Sequence, residues 1–158
     1  MDRYSINEII EIAVQVERNG YKYYAEAAQR KDLPPEGKQL LMKLRDDEIL
    51  HEKTFKDLRS DEELLELKKT KDWDIVTEYL EAIGTAHIFL DEEASIKMAT
   101  NAKSFEEIIE NAIRFEKDTI MLYHTLSRTL SSKKAIDIIH RIIREEMQHV
   151  LWLKGILG

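Results

Sequence analysis

Apolar residues recur along this chain in steps of three and four, in four long runs. The first takes in Ile6, Ile10, Ala13, Tyr24 and Ala28, the second Leu41, Leu44, Phe55 and Leu58. The third passes through Ile109, Ala112, Tyr123, Leu126 and Leu130, the fourth through Ala135, Ile139, Ile142, Leu153 and Ile156. That is the period of a helix with one buried face, and it predicts helices over about 5–30, 35–59, 104–130 and 133–157. Ser5 with Glu8 and Ser104 with Glu107 have the spacing of capping boxes. Asp32-Leu33-Pro34-Pro35 breaks the first run from the second, and Ser131-Ser132 turns the third into the fourth. Residues 60–103 read less cleanly, with short helices expected over about 61–69, 72–83 and 91–102 around Gly84. So long a stretch with little Gly or Pro is not bare loop. The expected fold is all-α: one domain over 1–158, a four-helix bundle of two similar helical hairpins joined by a long, partly helical crossover.

Ionisable residues interrupt the buried stripes at matched places. Glu17 falls in the first run, Glu48 and His51 in the second, Glu116 in the third, Glu146 and His149 in the fourth. Glu48-Ile49-Leu50-His51 and Glu146-Met147-Gln148-His149 both read Glu-x-x-His, a spacing that sets a carboxylate and an imidazole on one helical face. Each motif follows an in-stripe Glu by about 30 residues. Ala13-Val14-Gln15-Val16-Glu17 pairs with Ala112-Ile113-Arg114-Phe115-Glu116, and Tyr24 and Tyr123 follow their Glu at equal distance. The chain is an internal repeat.

Burying an unpaired carboxylate is costly, and no Lys or Arg shares these stripes to neutralise four of them. A pair of divalent cations would balance four carboxylates. Oxygen-rich ligation with one imidazole per metal suits Fe or Mn, and Zn fits the same ligands. Tyr24 and Tyr123, on the same stripes, are candidates to hold the ligand carboxylates by hydrogen bonds. Gly20 and Thr119, one turn beyond Glu17 and Glu116, are small enough to leave space over the metals, and close helix packing explains them equally well. His87, His124 and His140 have no counterparts in the repeat and read as surface or ordinary core, Trp73 and Trp152 as packing in preference to electron relay, and Asp61-Glu62-Glu63 as a solvated face.

Composition narrows the remainder. The 158 residues include no Cys, so disulfides and cysteine-held iron centres are excluded. No run is long and apolar enough to span a membrane, and Met1-Asp2-Arg3-Tyr4-Ser5 leads directly into an amphipathic pattern, so a cytoplasmic protein is expected. The net charge of −7 with no basic stripe in the sequence argues against nucleic acid as a partner.

Glu17, Glu48-x-x-His51, Glu116 and Glu146-x-x-His149 together resemble the ligand motifs of the ferritin-like superfamily, most closely the rubrerythrin-type diiron domain. Tyr24 sits where that family often keeps a tyrosine beside the ligands. The resemblance covers the four main helices. It implies two iron ions, with Glu48 and Glu146 bridging, Glu17 and Glu116 terminal, and His51 and His149 each on one iron. It also implies a diiron oxidoreductase that reduces peroxide or reacts with O2, served by an external rubredoxin-like electron-donor protein, and a homodimer. Iron binding or ferroxidation without peroxidase turnover is the alternative, a hydroxylase a third possibility, and a purely structural bundle the bland one. The chain departs from rubrerythrins in lacking a Cys-rich domain and in having Thr119 where they carry an extra Glu, so His51 is expected to remain a ligand in both redox states. Ile49 replaces the haem-binding Met of bacterioferritins. The nine residues after His149 leave no room for a fifth helix, and with the long crossover this argues against a ferritin shell.

Overall fold

A computed structural model describes residues 6–59 and 91–158, together with positions 74, 75, 78, 79 and 82. Among the described residues five helices are delimited: α1 (Ile6–Ala28), α2 (Pro35–Arg59), α3 (Glu92–Asn101), α4 (Phe105–Ser127) and α5 (Lys133–Leu157). α1 and α2 form one hairpin, α4 and α5 the other; α2 meets α5 and α1 meets α4, closing an all-α four-helix bundle. The short α3 lies against α1. It belongs to the expected crossover, as do positions 74, 75, 78, 79 and 82, which are helical and fall in the helix expected over 72–83; the rest of that stretch, with Ser5, His87, Trp73, the acidic run 61–63 and the helix expected over 61–69, lies outside the described residues.

The helices begin where the sequence supplies caps. Ser104 Oγ accepts from Glu107 N at 3.1 Å and Ser132 Oγ from Ala135 N at 3.3 Å, while Asp91 Oδ1 accepts from Ala94 N at 3.0 Å. The capping box at Ser104 is displaced by one residue: the Glu107 carboxylate accepts from Lys103 N (2.6 Å), just before the cap. α4 ends a turn earlier than the apolar run suggests. Arg128 N and Thr129 N fold back onto Thr125 O and Leu126 O, tightening the last turn while Leu130 stays buried beyond it.

The buried stripes are those of the sequence. Leu41, Leu44, Phe55, Ile109, Ala112, Ala135, Ile139, Ile142 and Leu153 are fully enclosed, and each large aliphatic or aromatic side chain so buried contributes about 1.5–3 kcal/mol. Tyr23 packs edge-on against Tyr24 and Phe115, and its hydroxyl donates to Ile108 O at 2.8 Å, fastening α1 to α4. Arg30, just past α1, donates through Nη1 to the carbonyls of Ala99, Thr100 and Ala102 (3.1, 3.3 and 2.7 Å) and pairs with Asp32. It closes the C-terminal end of α3, whose last carbonyls have no helical donor.

Candidate metal centre

At mid-height the four long helices turn six ionisable side chains into the core. Glu17 comes from α1, Glu48 and His51 from α2, Glu116 from α4, Glu146 and His149 from α5, and none is more than 4% exposed. They form two overlapping sets, Glu17–Glu48–His51–Glu146 and Glu48–Glu116–Glu146–His149, each with ligand atoms within 4.8 Å of one another. Glu48 and Glu146 belong to both sets and so lie between them; each set adds one imidazole and one carboxylate of its own.

Both imidazoles point Nδ1 inward. His51 Nδ1 lies 3.0 Å from Glu146 Oε1 and 3.5 Å from Glu17 Oε2. His149 Nδ1 lies 2.8 Å from Glu146 Oε2, 3.4 Å from Glu116 Oε1 and 3.5 Å from Glu48 Oε1. The outer nitrogens are held across the bundle: His51 Nε2 by Glu145 of α5 (2.7 Å), His149 Nε2 by Asp47 of α2 (3.2 Å). Lys43 pairs with Asp47 at 3.1 Å, and Arg141 stands 4.0 Å from Glu145.

The tyrosines reach across the bundle as well. Tyr24 donates to Glu116 Oε1 and Tyr123 to Glu17 Oε1, both at 2.5 Å. Each therefore holds the Glu of the other hairpin. Gly20 and Thr119 are buried beside the cluster's helical turns.

Without metal, the cluster distributes protons unevenly. Burial raises Glu146 to about 8, helped by the charges of Glu116 and Glu17, and burial with Glu146, Glu17 and Glu116 around it pushes Glu48 well above the usual carboxylate range. Burial acts on Glu17 too, but positive His51 and contacts with Glu48, His51 and Tyr123 outweigh it and bring Glu17 down to about 2. Glu116 is lowered likewise, by His149 against burial. Burial disfavours charge on both imidazoles, yet the surrounding carboxylates raise both and keep them protonated.

The donor set fits a pair of divalent cations. Four buried atoms, Glu17 Oε2, Glu48 Oε1, Glu146 Oε2 and His149 Nδ1, make no well-formed hydrogen bond. His149 Nδ1 and Glu146 Oε2 are close but not aligned for one, so these atoms converge on shared points and not on each other. Buried polar atoms rarely go unpaired, and two cations, one in each set with Glu48 and Glu146 common to both, would satisfy all four.

Asp47 and Glu145 are the residues that sequence reasoning left without a role. A signal was present: each Glu-x-x-His is preceded directly by an acidic residue. Their pairing with the opposite helix's histidine depends on how α2 and α5 cross. Between these helices runs a groove of about 370 Å³ that reaches both histidines. Away from the centre, His124 and His140 face each other across α4 and α5, ring centroids 6.4 Å apart.

No family profile matches the chain, and no curated protein matches it. Among solved structures, it is similar to a protein of Thermotoga maritima provisionally described as ferritin-like and diiron-carboxylate. The TM-score is 0.68 and the identity 21%, over 98% of this chain and 95% of that one. The likeness shows the fold, a ferritin-like bundle of helices, over essentially the whole length.

Proposed function

We propose that this chain is a dimetal-carboxylate oxidoreductase of rubrerythrin type, holding two iron ions and reducing peroxide or reacting with O2. The observation that carries the proposal is the pair of overlapping buried ligand sets with four atoms left unpaired. Glu48 and Glu146, common to both sets, would hold both metals, Glu17 and Glu116 would each hold one, and His51 and His149 would bind through Nδ1. The iron pair, when bound, supplies the electrons for peroxide or O2. The chain's own residues do the positioning. Glu145 and Asp47 keep the Nε2 proton in place so that Nδ1 is free to bind, Tyr24 and Tyr123 fix the terminal carboxylates, and the enclosing apolar stripes exclude water. With no Cys in the chain, reducing equivalents come from a separate donor protein. No helix among the described residues is long and apolar enough to cross a membrane.

Iron binding and ferroxidation stand as the second reading. What favours it is Thr119: with no carboxylate one turn beyond Glu116, the ligand set stays symmetric between the hairpins. Metal analysis after anaerobic Fe(II) loading, followed by stopped-flow mixing with H2O2 and separately with O2, decides between the two. About two irons per chain, oxidised fast by peroxide and slowly by O2, is the expected result. Fast oxidation by O2 with continued iron uptake establishes the second reading. Absence of stoichiometric metal sinks both and leaves a structural bundle, in which Glu48→Ala and His149→Ala would be tolerated or stabilising.

A further inference from the structure

The groove between α2 and α5 lies on the internal symmetry of the chain. The offset that relates His51 to His149 also relates Lys43 to Arg141, Asp47 to Glu145, Leu50 to Gln148 and Thr54 to Trp152, and all of these residues line it. The first two pairs keep their chemistry and the last does not. Where one hairpin has a threonine, the other has a half-buried indole. That indole stacks on His149 with centroids 5.8 Å apart and planes at 30°, and His149 faces His51 at 5.7 Å and 21°. A series of π faces therefore runs from the groove to both imidazoles of the metal centre.

We infer that Trp152 is the electron port of the centre: reducing equivalents from an external one-electron donor protein enter at the indole in the α2–α5 groove and reach the metals through His149. The inference rests on the redox reading above. A protein donor cannot enter a groove of about 370 Å³, and the ligand carboxylates are sealed in the core. The outer edges of the imidazoles are taken by Glu145 and Asp47. Trp152 is the aromatic group that both lines the groove and touches a ligand imidazole. Lys43 places its ammonium 4.6 Å from the centroid of the indole. A cation over a π face makes removal of an electron from the ring more costly, so the indole acts as a bridge and does not remain oxidised. Each transfer oxidises one donor molecule by one electron and reduces one metal ion from M(III) to M(II). Two transfers restore the pair, and no bond forms or breaks at Trp152.

The test uses iron-loaded protein oxidised with H2O2 and then mixed with reduced rubredoxin in a stopped-flow instrument. Trp152→Leu is expected to leave the peroxide step unchanged and to slow re-reduction by about tenfold or more. Adding Thr54→Trp to Trp152→Leu moves the indole to the symmetry-related place beside His51 and is expected to recover the rate. A second readout needs no turnover: in a Trp73→Phe background, redox-inert Zn(II) added to apo protein should change the Trp152 emission until both sites are full. Re-reduction that ignores Trp152→Leu overturns the inference, as does a loss that Thr54→Trp fails to restore or an emission indifferent to Zn(II). Iron that is not oxidised by peroxide at all overturns the redox reading itself, a distinct result.

Discussion

Each imidazole is held at its outer nitrogen, and that fixes what it can do. Nε2 faces a carboxylate in the groove, so its proton stays there when the ring gives up the other to a metal, and the Nδ1 lone pair then points at the cluster. Asp47→Asn and Glu145→Gln are therefore expected to weaken metal affinity by about 10–100-fold without unfolding the bundle, as read by competition with a chelator of known affinity. The anchor also bears on redox change. With Glu145 2.7 Å from His51 Nε2 and threonine at position 119, nothing draws the ring off the metal. His51 is expected to remain bound in both oxidised and reduced crystals; a ring swung away in either would refute this. The tyrosines give a double-mutant cycle. Tyr24→Phe should couple to Glu116→Gln by about 1.5–3 kcal/mol of stability, the range for a hydrogen bond to a charged group, and should not couple to Glu17→Gln, although Glu17 shares Tyr24's own stripe. The six cluster residues were legible because carboxylates in an apolar stripe contradict their surroundings. The crossing of Tyr24, Tyr123, Asp47 and Glu145 to the opposite hairpin was not, since it depends on how helices far apart in sequence meet.

At the scale of helices, α2 and α5 begin and end where their sequences indicate, because Pro35 and Ser132 set the first turn and the apolar stripe runs to the last. α4 stops short of its apolar run, which continues to Leu130, because a stripe shows which face is buried and does not show where the backbone turns; α1 ends with its run, at Ala28. The docking of α3 was equally hidden: its tie to α1 is a side chain meeting carbonyls, which leaves no periodic trace. Arg30→Ala is expected to cost about 1.5–3 kcal/mol through the loss of charged hydrogen bonds to Ala99, Thr100 and Ala102. Amide exchange should quicken over residues 92–101 while metal stoichiometry is unchanged, since α3 supplies no residue to the cluster. Gly37 marks another close approach. A methyl there would stand 2.5 Å from Cζ of the half-buried Phe105 ring. Gly37→Ala should therefore destabilise the protein by about 1–3 kcal/mol as the ring is displaced, measured as a lowered denaturation midpoint at constant m-value.

For the molecule as a whole, the bundle and the cluster impose opposite demands, and pH sets the balance between them. In the apo protein Glu17 and Glu116 are ionised, Glu48 and Glu146 hold protons and both imidazoles are charged. Two negative and two positive charges leave the core neutral. Two divalent metals need all four carboxylates ionised and both imidazoles neutral, so loading releases about four protons per chain, measurable in weakly buffered solution. The same shifts fix how apo stability depends on pH. Glu17 is lowered from 4.5 to about 2, so its contribution is present above 4.5 and is lost as pH falls toward 2. Glu146 is raised from 4.5 to about 8, so its contribution is present below 4.5 and is lost as pH climbs through 8. The imidazoles, raised above their ordinary 6.5, are also lost on the alkaline side. Apo protein should therefore melt highest in mildly acidic solution and lose stability steadily through about pH 8, while metal-loaded protein gains over the same interval because deprotonation completes its ligands. Thermal melts of both forms from pH 5 to 9 check this, and parallel curves would mean that the six groups do not share protons with a metal site at all.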